Sequence, residues 1–282
     1  MGRHWYDQPP IDLDHRKIYY MKIISKITGS ILLVSIVITS ASANTLFMGS
    51  PQVTGSDTCT ENCVSKWTSS VELGFVSVSG NTETDTFNGR FSLGYEKQKW
   101  RHGGFLATQF SSTNDKRTNT KTDAEKLTAQ IKSDYQYSKF AYAFGIIDYD
   151  ETKDSGFDYQ SSYAIGAGYR FIKSDAHRLD GEFGFGVRNS KAELTQLTNS
   201  ELISRIAGFY KWQISKTSKI EQSISSEIGT DNTIIKYLGS LSANVLDSLA
   251  LKVSYALKHQ SEVPVGNERK ETVTSFTVVY SF

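Results

Sequence analysis

From Trp67 to Phe282 the chain alternates large apolar residues with small or polar ones at a period of two. In "LKVSYALK", Leu251, Val253, Tyr255 and Leu257 fall on one side, and Lys252, Ser254, Ala256 and Lys258 on the other. In "KYLGSLSANV", Tyr237, Leu241 and Val245 oppose Lys236, Ser240 and Asn244. In "LISRIAGFYKWQI", Leu202, Ile206, Tyr210 and Trp212 oppose Arg205, Ala207, Lys211 and Gln213. Such alternation marks strands whose two faces meet different surroundings. It predicts twelve of them, at 67–79, 84–96, 100–112, 125–138, 140–149, 161–172, 179–189, 201–214, 220–229, 233–245, 249–260 and 272–282. Each has about ten residues or more, long for a soluble strand and suited to a tilted strand that crosses a membrane.

The connections alternate as well. "KQK", Ser138-Lys139, "KSDAH", "SKTSK" and "LDS" are short, whereas "TNDKRTNTKTD", "DETKDSGFDYQ", "SKAELTQLTNS" and "SEVPVGNERK" are longer and charged. Short turns at one end and longer loops at the other predict an all-β fold, a transmembrane antiparallel up-and-down β-barrel formed by 67–282 as one domain. Beyond Pro51 the one proline is Pro264, inside a predicted loop. Proline elsewhere would remove a ladder hydrogen bond that lipid cannot replace. Trp67, Tyr95, Trp100, Tyr137, Phe140, Phe171, Trp212 and Phe282 all fall at short-turn ends, so Trp67, Trp100 and Trp212 are expected in an aromatic girdle. A soluble β-sandwich would alternate too, with shorter strands more often broken by Pro and Gly turns.

The final strand reads Phe276, Val278, Tyr280 and Phe282 on one face. In a closed barrel it must pair with the first strand and cannot fray. This outward-facing, Phe-terminated strand is the expected recognition signal for the outer-membrane assembly machinery.

Composition agrees with one lipid-facing and one wet surface, since hydrophobic residues are 38% while aromatics reach 12%. At the N-terminus, "MKIISKITGSILLVSIVITSASA" (21–43) places Lys22 and Lys26 before an apolar stretch and closes on Ala41-Ser42-Ala43. That is the order of a secretory signal peptide cleaved before Asn44. The apolar stretch is too short for a membrane anchor. Residues 1–20 are read as an extension upstream of the natural start, and 44–66 as a periplasmic lead-in. Without 1–43 the chain carries 26 basic and 27 acidic residues, a net charge of −1, which gives no basic excess for nucleic acid. Export makes a disulfide between Cys59 and Cys63 the preferred state over free thiols. Two thiols with no nearby histidine do not make a metal site, and no cofactor motif is present.

With the strands placed, "WTSSVELGFVSVSGNTETDTFNGRFSLGYE" (67–96) resembles the YdiY-like, salt-induced outer membrane proteins of Gram-negative bacteria. The likeness lies in Trp67, in a strand ending Gly80-Asn81-Thr82, in the Thr-rich strand that follows, in "YRF" (169–171) and in the Phe-terminated last strand. The upstream extension and the Cys59/Cys63 pair depart from that pattern. The resemblance implies an outer-membrane barrel with a link to salt stress and brings no catalytic residues.

The inward face is expected to carry Arg90, Arg101, Lys132, Arg188, Arg205, Lys211, Lys236, Lys252 and Lys258, with Glu72, Glu182 and Glu227 among the acids. A charge in a narrow interior needs water or a partner. One reading is a mildly cationic, water-filled pore; the other is a plug of salt bridges. Twelve strands fall between barrels that side chains fill and barrels that stay open. The roles expected are therefore a small passive channel or an envelope-integrity protein, in contact with outer-membrane lipid and lipopolysaccharide. An outer-membrane lipase or protease is the rival. Its one local pairing is His259 with Ser261, which share a strand face but lack a G-x-S-x-G element.

Overall fold

The computed structural model describes residues 65–78, 82–115, 120–153, 156–264 and 267–282. The upstream extension, the signal peptide, most of the lead-in and the Cys59/Cys63 pair lie outside them.

Twelve antiparallel strands form one closed barrel: β1 (Lys66–Val78), β2 (Thr82–Lys97), β3 (Trp100–Asp115), β4 (Thr120–Gln136), β5 (Ala141–Thr152), β6 (Phe157–Lys173), β7 (His177–Ala192), β8 (Thr198–Gln213), β9 (Ser218–Gly229), β10 (Thr233–Asn244), β11 (Leu249–Gln260) and β12 (Lys270–Ser281). Each strand pairs with its neighbours in sequence, and β1 pairs with β12 to close the ring. β1 begins and β12 finishes at the same end of the barrel, which we call the terminal end; the opposite end is the loop end.

Eight of the twelve strands, β2 to β8 and β12, outrun their predicted limits at the loop end. β3 and β4 stay paired as far as Asp115 and Thr120, and β7 and β8 as far as Lys191 and Thr198. Most of "TNDKRTNTKTD" and much of "SKAELTQLTNS" are therefore strand. These stretches are polar on both faces, so they carry no two-residue hydrophobic period to read. Backbone ladder bonds extend them anyway.

Outside, the large apolar residues stand exposed as alternation places them. Leu73, Leu106, Ile131, Ile165, Phe185, Leu202, Ile224 and Leu251 all project from the wall. At the terminal end the aromatic residues touch in series. Trp67 lies 4.5 Å from Tyr95 by ring centroid, Trp100 4.9 Å from Tyr135, and Tyr280 5.9 Å from Phe282. His102 stacks on Trp100 and His177 on Trp212, so both histidines belong to this girdle. A bulge between Arg170 and Ile172 brings Phe171 and Ile172 to the exterior together. Phe276, Val278, Tyr280 and Phe282 all face outward.

β5 inverts the rule. Its large residues Tyr142, Phe144 and Ile146 are buried inside, and small Ala143 stands outside. The room comes from the inward faces of β6 and β7, where register sets Gly168, Gly166 and Ala164 beside Tyr142, Phe144 and Ile146. Gly184 and Gly186 continue that shallow wall on β7. A Cβ at Gly168 would overlap the Tyr142 ring.

Candidate functional site: the charged lumen

Glu72, Arg101, Lys132, Glu182, Arg188, Arg205, Glu227 and Lys252 are buried, and Arg90, Lys211, Lys236 and Lys258 are half-buried. Four further acids join them, of which Asp150 and Glu271 lie one residue outside the predicted strands. Asp150 and Glu201 are buried, and Asp148 and Glu271 are half-buried. Among the described residues the buried charged side chains comprise eight acids (Glu72, Asp134, Asp150, Asp180, Glu182, Glu201, Glu221, Glu227) and seven bases (Arg101, Lys132, Arg170, Arg188, Arg205, Lys219, Lys252). The fully buried interior is thus close to neutral. The half-buried Arg90, Lys211, Lys236 and Lys258 against Asp148 and Glu271 add a small excess of bases around it.

The charges are paired, and many pairs join strands that are not neighbours in the wall. At mid-height Lys132 of β4 meets Glu182 of β7 at 2.5 Å, and Tyr142 Oη of β5 donates to the same carboxylate at 2.8 Å. Three aromatic rings surround that ammonium, with Phe144 at 5.1 Å, Tyr142 at 5.4 Å and Phe209 at 5.7 Å. Such rings add cation–π attraction to a charge already removed from water. Lys132 also touches Asp134 at 3.0 Å, and Asp134 holds Arg101 at 3.0 Å. Towards the terminal end Asp180 accepts from Arg178 and Arg170.

The loop-end half is crossed as well. Asp150 of β5 lies 2.9 Å from Lys258 of β11 and 3.7 Å from Lys236 of β10. Lys126 of β4 reaches Glu271 of β12 at 2.7 Å, and Ser162 Oγ of β6 donates to Glu227 of β9 at 2.9 Å. Arg188 holds Glu201 at 2.7 Å and also donates to the Asn232 carbonyl. Beside the closure, Lys252 of β11 reaches past β12 to Glu72 of β1 at 2.9 Å. The Arg90 guanidinium lies 3.6 Å over the Phe105 ring. Ion pairs of this kind stabilise only when both partners and their remaining hydrogen bonds are in place. Several meet that condition here by sharing one carboxylate among two or three donors.

Ser261, the residue paired with His259 in the rival reading, is hydrogen-bonded to the neighbouring turn. Ser261 Oγ accepts from the Thr233 N–H at 2.8 Å and donates to Asn232 Oδ1 at 3.1 Å, so its proton points at the β9–β10 turn. His102 and His177 are girdle residues at the opposite end. Among the described residues no group of His, Cys, Asp and Glu could hold a metal ion.

Residues 71–282 match the family described as "Protein of unknown function, DUF481". The chain belongs to that family. The DUF481 match covers the whole closed wall except the first residues of β1. No curated protein matches the chain. Among solved structures, the NanC porin is similar at 8% identity with a TM-score of 0.46, covering 76% of this chain and 98% of its own. The translocator domain of the autotransporter NalP from Neisseria meningitidis gives 9% and 0.42, with 95% of each chain covered. The KdgM porin gives 12% and 0.42, covering 76% and 99%. At these TM-scores the likenesses carry no argument about the chain.

Proposed function

We propose that this is an outer-membrane barrel of the Gram-negative envelope whose lumen is held shut by ion pairs, so that it reinforces the envelope rather than passing solute freely. The observation that carries this reading is the set of contacts between non-neighbouring strands, above all Lys132–Glu182, Lys258–Asp150 and Lys126–Glu271, which cross the space a pore would need. The exposed apolar belt and the aromatic girdle support placement in a bilayer, with the terminal end on the periplasmic side. Export by the signal peptide, assembly through the Phe282-terminated strand and contact of the loop end with lipopolysaccharide complete the proposal. The likeness of 67–96 to YdiY-like proteins supports service under salt or osmotic stress. The role is non-enzymatic and needs no cofactor.

The test is single-channel recording of the refolded protein in a planar bilayer. A shut lumen gives a quiet membrane with protein that is folded and inserted. Discrete, regular conductance steps from the unmodified chain would replace this reading with that of an open channel.

A further inference from the structure

The wall is not closed to the same extent all the way round. Neighbouring strands elsewhere share between 10 and 16 residue pairs in register. β1 and β12 share four, from Ser70↔Ser281 to Leu73↔Val278. Paired backbone bonds between Ser69 and Phe282 add one more step at the terminal end. Beyond Leu73 the ladder stops, although β1 runs on to Val78 and β12 back to Lys270. Extending the register would set Gly74 opposite Thr277 and Phe75 opposite Phe276. At Gly74 the strands still touch, since a Cβ there would lie 2.6 Å from the Phe276 carbonyl oxygen. Towards the loop end both strands keep their outer partners, β2 and β11, and carry no ladder between themselves.

Unpaired backbone is costly in hydrocarbon and is tolerated only where it lines a cavity or is buried in protein. The loop-end half of the seam is therefore the place where the wall can part. What lies behind it differs from the rest of the lumen. Register sets Leu238 of β10, Ala256 of β11 and Val273 of β12 side by side on the inner face, all half-buried. A hydroxyl row, Ser240, Ser254 and Ser275, lies on one side of this strip, and Lys236, Lys258 and Glu271 on the other. Outside, Phe75 and Phe276 stand exposed where the ladder has ended.

We propose that the loop-end half of the β1–β12 seam is a lateral opening through which an acyl chain of a membrane lipid reaches the Leu238–Ala256–Val273 strip. This inference rests on the bilayer placement proposed above. An acyl chain is the occupant because the seam lies between the apolar belt outside and an apolar strip inside. A chain seated there places its polar end near the charged row next to the strip.

The test replaces the four native tryptophans by Phe and introduces a single new one, in vesicles of phosphatidylcholine with or without bromine on the acyl chains. Phe276→Trp reports the exterior, Val273→Trp the strip, and Ser190→Trp, on the inner face of β7, the far wall. Bromolipid is expected to quench Val273→Trp at least half as strongly as Phe276→Trp and to leave Ser190→Trp unchanged. Equal, weak quenching at 273 and 190 with strong quenching at 276 overturns the opening alone. Absence of quenching at 276 overturns the bilayer placement itself. A disulfide lock, Phe75→Cys with Phe276→Cys and both native cysteines changed to Ser, is expected to reduce quenching at 273 to the level at 190. Undiminished quenching in the locked protein would remove the seam as the route. If Val273→Trp does not fold, a fluorophore on Ala256→Cys gives the same readout.

Discussion

Tyr142 sits inside the barrel because Gly168 is its partner in register, and the two form one packing unit. Gly168→Val would drive a branched side chain into the ring and should cost about 1–3 kcal/mol. Adding Tyr142→Ala should recover part of that loss, and denaturant midpoints of the two variants in detergent check it. Lys132 makes a second test of the interior. Lys132→Met leaves Glu182 buried without its ammonium and should cost about 3–5 kcal/mol, whereas Lys132→Met with Glu182→Gln should cost clearly less. Equal losses in the two proteins would mean that the pair does not act as a unit. These residues also mark where reading the sequence stopped short. Lys132 and Glu182 were legible as inward charges, because their strands show large residues out and polar residues in. "AYAFGII" also alternates, but with small residues between large ones, and alternation alone does not say which set faces the core. The inward glycines in "IGAGYRF" and "GEFGFG" held the missing signal, since two facing rows of Gly leave room that something bulky must fill.

At the level of the strand, β12 is held to β1 by few bonds, and Phe282 supplies several of them. Its N–H donates to the Ser69 carbonyl at 3.0 Å, and its carbonyl accepts from the Ser69 N–H and Oγ at 3.2 and 2.7 Å. Deleting Phe282 removes these bonds together with the terminal ring, whereas Phe282→Ala removes the ring alone. The deletion should reduce membrane-inserted protein more than Phe282→Ala does. Quantifying heat-modifiable, folded barrel on unheated gels separates the two contributions. Equal yields would mean that closure does not depend on the last residue. The existence and order of all twelve strands were legible because one face of each strand must be apolar. Turns at the terminal end lie close to where they were placed, for Gly-poor but Ser- and Lys-rich breaks interrupt a strong period there. At the loop end the period fades before the ladder does, so the strand ends, and with them Asp150 and Glu271, escaped notice.

Across the whole lumen, balance of charge matters more than the charge on any one side chain. Asp150 holds both Lys258 and Lys236, on strands across the barrel from its own. Asp150→Asn should release two cations at the loop-end mouth while leaving the wall intact. Small currents with a preference for anions are expected from this variant, and none of comparable size from the parent. Reversal potentials under a salt gradient give the sign. Cation preference would place the freed lysines away from the path of the ions.

The order of pairing also bears on how the barrel can be rewired. Eleven of the twelve strand pairings are between sequence neighbours, joined by short links, and the remaining one brings the two chain ends of the barrel together at the same rim. Such a ring has no topological beginning. Joining the ends of 65–282 by a short linker and reopening the chain at the Gln98-Lys99 turn would give a circular permutant with the same wall. In it, β1 and β12 would be a local hairpin, and the distant closure would fall to β2 and β3, which share sixteen residue pairs. The permutant separates two properties that the natural order joins: the pairing that is longest in sequence and the pairing that is shortest in register.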